Sequence, residues 1–324
     1  MRRLLRRPST ILALTAVALL TGPRGSLAQA PPSAAAPAPV SGLTHRFTAR
    51  TVTSADGTRI AYLVAGGATG TGHPLVMVHG SMTVADEWLA VADRLAATRR
   101  VVVVERRGRG RSGDAPRHSL AVEAQDLAAV VADVARSGAG LGADTSAGPV
   151  DLFGHSYGGA VVGRYAIDAG FRGAVVLYDP GAGLNGSIAA GRLAPVRALL
   201  DAGKREEALT RAFETVMGLS APAIAAMRQN APLWAQFRAL LPSWLREIES
   251  LDAFAPTAEA LGRIRGRTAI LLGDRSGPML TGIAGTWVGR QPGVTVLPLR
   301  GQGHTAYLGA EAYLAERIRT ALNQ

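Results

Sequence analysis

Cysteine is absent from the 324-residue sequence, and Lys204 is its single lysine. Without cysteine there is no disulfide framework, no thiolate metal site, no cysteine nucleophile and no lipid carried on sulfur. Aromatic residues make up only 5% of the chain and charged residues 18%, against 48% hydrophobic. That balance excludes a disordered chain and a coiled coil, and the length is ample for one large domain with an insertion. The formal net charge of +11 rests almost wholly on arginine. Five of those charges (Arg2, Arg3, Arg6, Arg7 and Arg24) lie in residues 1–30, where there is no acid. The +6 that remains is too modest to argue for a nucleic-acid partner.

Long apolar runs are also scarce. Residues 11–20 form one of about ten residues, half of what a membrane-spanning helix needs. Four arginines precede it, Pro8 and Pro23 bracket it, and Ala28-Gln29-Ala30 supplies the small-x-small pattern a signal peptidase accepts. Residues 1–30 therefore read as a secretory signal peptide, cleaved after Ala30. The residues after the arginine pairs fit a twin-arginine signal poorly. Export to a periplasm or the outside follows, with no stable membrane anchor. Residues 31–42, rich in Pro and Ala, read as a linker.

From residue 43 the chain alternates strands and helices. Residues 47–53 and 58–64 are β-rich runs around Asp56-Gly57, a hairpin signal. Short apolar strands follow at 74–78, 101–104, 150–153, 174–178, 268–272 and 294–299, the second of them four consecutive valines. Helical periodicity marks 85–98, 119–136 and 309–322. An antiparallel start followed by β-α units predicts a mostly parallel, eight-stranded sheet with helices on both faces. Between residues 181 and 264 no strand pattern appears. Helical patterns at 194–200, 206–217, 223–229 and 243–254, punctuated by prolines, predict a helical lid set between residues 43–180 and 265–324. Trp234, Phe237, Trp244 and Phe254 concentrate there. At helical spacing most of them are expected to form the lid's own core rather than face a substrate.

Gly154-His155-Ser156-Tyr157-Gly158 fits G-x-S-x-G between a strand and a helix. A turn this sharp strains the serine backbone, excludes side chains on either side, and lifts the hydroxyl clear of the sheet. With this motif in place, residues 43–322 resemble an α/β-hydrolase-fold serine hydrolase of the esterase/lipase type. Three further motifs carry the resemblance. His79-Gly80 resembles the family's oxyanion loop. Glu105-Arg106-Arg107-Gly108-Arg109-Gly110-Arg111-Ser112 resembles its D-x-R-G-x-G-x-S loop, with Glu for Asp. Gly303-His304 stands where the family places its histidine base.

The resemblance implies that Ser156 is the nucleophile, that the His304 imidazole takes its proton, and that the N–H groups of Ser81 and Tyr157 hold the oxyanion. The family's usual acid follows the strand at 268–272 as G-x-x-D, but that position here is Ser276, with Asp274 two residues early. A subset of the family carries the acid after the preceding strand, which is Asp179 here. Asp179 is the favoured acid and Asp274 the alternative. The other histidines (His45, His73, His79, His118 and His155) read as loop or packing residues, too scattered for a metal site. Arg106, Arg107, Arg109 and Arg111 read as an exposed, solvated loop.

The function these residues imply is an exported hydrolase of carboxylic esters with small to medium apolar groups, acting on a small-molecule substrate through an acyl-enzyme, with no cofactor. Alternatives on the same fold are cleavage of an amide, a lactone or a C–C bond, or perhydrolysis; a secreted binding protein without turnover is a third class. Epoxide hydrolysis and haloalkane dehalogenation are disfavoured, because those relatives need an Asp where Ser156 stands.

Overall fold

A computed structural model describes residues 42–66, 72–138, 150–184, 186–189 and 191–324. The expected signal peptide and all but residue 42 of the expected linker lie outside them. Strands β1 (Thr48–Thr53) and β2 (Arg59–Ala65) form a hairpin. Its turn places Gly57 at φ +84°, with the Thr58 N–H donating to Asp56 Oδ1 at 3.0 Å. Then come β3 (Leu75–Val78), a 3-10 turn at Ala85–Trp88, α1 (Leu89–Ala96), β4 (Val101–Val104), α2 (Leu120–Gly138), β5 (Asp151–His155), α3 (Tyr157–Ala169) and β6 (Val175–Tyr178). Helices α4 (Leu193–Asp201), α5 (Arg205–Thr215), α6 (Ala221–Gln229), α7 (Ala231–Asp252) and the single turn α8 (Ala258–Leu261) precede β7 (Thr268–Gly273), α9 (Pro278–Arg290), β8 (Thr295–Leu299) and α10 (Glu311–Leu322).

The eight strands form one sheet in the order β1-β2-β4-β3-β5-β6-β7-β8. The two pairings of β2 are antiparallel and all those from β4 to β8 are parallel. Strands covered on both faces must be apolar throughout, and β4 shows why four valines suit such a position. Val102 and Val104 join the core under α2 and α3, whereas Val101 and Val103 join the core under α1 and α10. Among the described residues no helix is long and apolar enough to cross a membrane.

The lid helices pack over the α2–α3 side of the sheet. Phe213 stands edge-on to Trp234 and Phe237, with ring centroids 5.7 and 5.5 Å away. Helix α7 runs 22 residues straight through Pro242, where a break is expected from sequence. Trp234, Phe237, Leu241, Trp244, Leu245 and Ile248 give it one continuous buried face, and that packing outweighs the loss of one backbone donor. Pro222 and Pro232 instead start helices, behind caps in which Ser220 Oγ accepts from the Ala223 N–H and Asn230 Oδ1 from the Leu233 N–H.

The arginine loop corrects the reading of a solvated segment. Arg106, Arg107 and Arg109 are buried. Arg106 grips Glu123 of α2 with two nitrogens at 2.7 and 2.9 Å and reaches Glu247 of α7 at 2.7 Å. Arg109 bonds the same Glu247 oxygen. Arg107 takes both oxygens of Asp126, and Arg111 pairs with Asp86 and Glu105. The glycines between these arginines serve close approach rather than exposure. A Cβ on Gly110, at φ +51°, would stand 2.2 Å from the Glu105 carboxylate. Burial opposes ionisation of Glu123 and Glu247, yet the neighbouring Arg106 guanidinium holds both carboxyls below the ordinary range. A second tie from lid to core is Gln236, whose amide donates to the Met82 carbonyl at 3.2 Å and to the Glu87 carboxylate.

Two predictions follow from these ties. Phe213→Ala removes the ring at the centre of the lid cluster and is expected to cost about 3–5 kcal/mol, read as a lower denaturant midpoint with faster hydrogen exchange in α5–α7. Burial pushes the Glu87 carboxyl up to about 7, against the Gln236 and Val84 donors that lower it. The folded state thus keeps a proton that the unfolded chain has lost, so Glu87's contribution is full below about 4.5 and fades as pH rises through about 7. Glu87→Gln is expected to abolish that slope, gaining on the wild type by the order of 3 kcal/mol between pH 4 and pH 8. Parallel denaturation curves for the two proteins would reject this assignment.

Candidate active site

The carboxyl ends of β3, β5 and β6 and the loop after β8 converge under the lid. There an apolar cavity of about 140 Å³ is lined by Ser81, Ser156 and His304 together with Met82, Ile188, Trp244, Leu251, Met279 and other aliphatic side chains. Ser156 sits between β5 and α3 at φ +54°, ψ −123°, a strained backbone for any residue with a side chain. Small neighbours permit that turn. A Cβ on Gly158 would meet the Val78 carbonyl oxygen at 2.3 Å, and one on Gly154 the Gly158 carbonyl oxygen at 2.5 Å. Tyr157 opens α3, so its N–H has no partner within the helix.

His304 is reached from Asp179, which follows β6 at φ +42°. Asp179 is fully buried, and its Oδ2 lies 3.1 Å from His304 Nδ1. The same oxygen accepts from Ser276 Oγ at 2.5 Å, while Oδ1 accepts from the Gly273 N–H at 3.1 Å. A buried carboxylate with three donors is fully satisfied. Asp274 lies apart: it is exposed and accepts from the Gly301 N–H at 2.9 Å. The structure therefore brings Ser156, His304, Asp179, Ser81 and Tyr157 to one place and leaves Asp274 out of it.

The neighbouring residues hold these groups in position. The Tyr178 hydroxyl donates to the Gly303 carbonyl and accepts from the Ala306 N–H at 3.1 Å, clamping the loop on both sides of His304. His155 donates from Nε2 to the His304 carbonyl at 2.9 Å, and burial keeps its imidazole neutral. His79 is likewise held neutral by burial, with Thr83 Oγ1 3.0 Å from its Nδ1. Arg106 donates to the Gly80 carbonyl at 3.0 Å, so the charged network under the lid also fixes the loop that carries Ser81. Its guanidinium lies over the Tyr157 ring at 4.2 Å.

Ser276, Tyr178 and Glu247 are the contributors that sequence reasoning missed. Ser276 carried a signal, since it fills the position where the acid is usual. Glu247 carried none, because its partners lie more than 120 residues away. His118, read as a loop residue, buries its side chain 2.9 Å from Glu123. His118, Glu123 and Glu247 bring ligand-type atoms within 4.8 Å of one another. Arg106 already binds both carboxylates and Arg109 crowds one of them, so positive charge stands where a metal ion would need to enter.

Comparison with known proteins agrees with this fold. The model of the alpha/beta hydrolase family matches residues 75–317. Over 132 residues the chain is 36% identical to the N-formylmaleamate deformylase of Pseudomonas putida, a match that spans 39% of this chain and 43% of the deformylase. An alpha/beta hydrolase from Sphaerobacter thermophilus superposes at a TM-score of 0.68 with 25% identity, covering 83% of this chain and all of the other. An esterase from a Rhodococcus species superposes at 0.64 with 22% identity, covering 85% of this chain and 98% of its own. A strained serine between β5 and α3 on a sheet of this order, matched over three quarters of the sequence, makes the chain a member of the alpha/beta hydrolase family.

Proposed function

We propose that the protein is an exported serine hydrolase that cleaves carboxylic esters carrying small to medium apolar groups. The observation that carries the reading is the contact of His304 Nδ1 with the buried Asp179 carboxylate, beside Ser156 in one apolar cavity. In the proposed cycle His304 Nε2 takes the Ser156 hydroxyl proton as Oγ attacks the ester carbonyl carbon. The N–H groups of Ser81 and Tyr157 receive the oxyanion, and each such donor is worth roughly 3–4 kcal/mol in comparable sites. The C–O bond to the leaving group breaks, the imidazolium protonates the departing alcohol, and an acyl-enzyme remains on Ser156. Water, deprotonated by His304, then attacks the acyl carbon; the bond to Ser156 Oγ breaks, the imidazolium returns the proton to Oγ, and the acid is released.

Apart from His304, the residues lining the cavity carry no ionisable side chain, which favours uncharged, apolar substrate groups. A second reading, hydrolysis of an N-formyl amide, is favoured by the 36% identity to a deformylase over part of the chain. Export rests on the charged, apolar and small-residue succession in residues 1–30, with release after Ala30.

The test is fluorophosphonate labelling of the protein from Pro31 onward, followed by rates on a panel of esters and N-formyl amides. Rapid labelling of Ser156 with ester rates above amide rates is expected. A folded protein without an adduct would point instead to a binding protein that does not turn over. Asp179→Asn is expected to lower turnover about 10³–10⁴-fold, whereas Asp274→Asn leaves most of it; the opposite ranking would overturn the choice of acid. Secreted material is expected to begin at Pro31, as read by N-terminal sequencing.

A further inference from the structure

Asp179 and Ser276 come from the ends of two adjacent strands, β6 and β7, yet they meet on one oxygen atom. Asp179 Oδ2 accepts from Ser276 Oγ at 2.5 Å and faces His304 Nδ1 at 3.1 Å, while Oδ1 is fixed by the Gly273 N–H. We infer that Ser276 is a positioning residue for the triad acid Asp179. This rests on the reading of Ser156, His304 and Asp179 as a triad.

Three features place Ser276 in that role. A carboxylate rotates about two side-chain bonds, and one donor per oxygen is what stops it. Asp179 gains those donors from the β7 end, at Gly273 and Ser276, rather than from its own turn. Second, the Ser276 hydroxyl shares the lone pairs of the oxygen that faces the imidazole. Taking it away concentrates charge on Oδ2, which favours the protonated imidazole while loosening its orientation. Third, Ser276 lies outside the lining of the cavity, so substrate binding does not run through it. A Cβ on Gly273 would stand 2.4 Å from Ser276 Oγ, so the glycine is what leaves room for the hydroxyl beside the carboxylate.

The test compares Ser276→Ala, Ser276→Thr and Asp179→Ser on one short-chain ester, with kcat and KM measured across pH. Ser276→Ala is expected to lower kcat about ten- to a hundredfold with KM unchanged, and to move the acid limb of the profile to higher pH. Ser276→Thr, which keeps the hydroxyl, is expected to restore both. A Ser276→Ala protein with lowered melting temperature but an unmoved acid limb would show a structural role only and overturn the inference. If Asp179→Ser keeps full activity, the triad reading has failed first, and the inference falls with it.

Discussion

Arg106 is the point on which sheet, lid and the loop after β3 all depend. A guanidinium out of water needs its charge and its donors answered together, and here α2 and α7 each send a carboxylate to it while the Gly80 carbonyl takes a further donor. Glu123, Glu247 and Gly80 come from regions far apart in the chain. None can shift without leaving a buried charge or carbonyl unmatched, which is costly in a way that loss of apolar contact is not. The network therefore contributes geometry more than net stability: it sets where the lid helix α7 stands relative to the loop bearing Ser81. Arg109 and Arg107 extend the same arrangement outward, to Glu247 and to Asp126.

Backbone strain is gathered on this same edge. Among the described residues three non-glycines have positive φ: Met82 at +58°, Ser156 at +54° and Asp179 at +42°. They belong to the loop after β3, the sharp turn after β5 and the residue that follows β6. Each costs on the order of 1–3 kcal/mol, sustained by a sheet whose central strands β3 to β6 are buried throughout. The rigid surroundings are visible in how little space remains, with the Gly158 and Gly80 backbones pressed against β3 carbonyls and the His155 ring. Around this stiff polar edge the cavity wall is soft. Met82, Met217 and Met279 line it, and methionine adapts its shape at little cost. Polar placement thus falls to the strand ends, and apolar accommodation to side chains from the lid, from α9 and from the loop after β3.

What the sequence states by itself is everything with a local cause. The valine run announces a covered strand because both faces must be apolar. The glycines around Ser156 announce the sharp turn because no Cβ fits there, and the break in strand rhythm between residues 181 and 264 announces an inserted helical layer. The loop after the last strand, which carries His304, is legible in the same way. What needed the tertiary structure were pairings across long separations. Whether the arginines face water or Glu247 depends on a helix that starts more than 120 residues later, and α7 crosses Pro242 because of what its buried face meets. Asp179 rather than Asp274 faces His304 because β6 and β7 are adjacent and parallel, so the ends of both strands open on the same edge. Burial and partner choice are properties of that closed arrangement, which local chemistry constrains but does not contain.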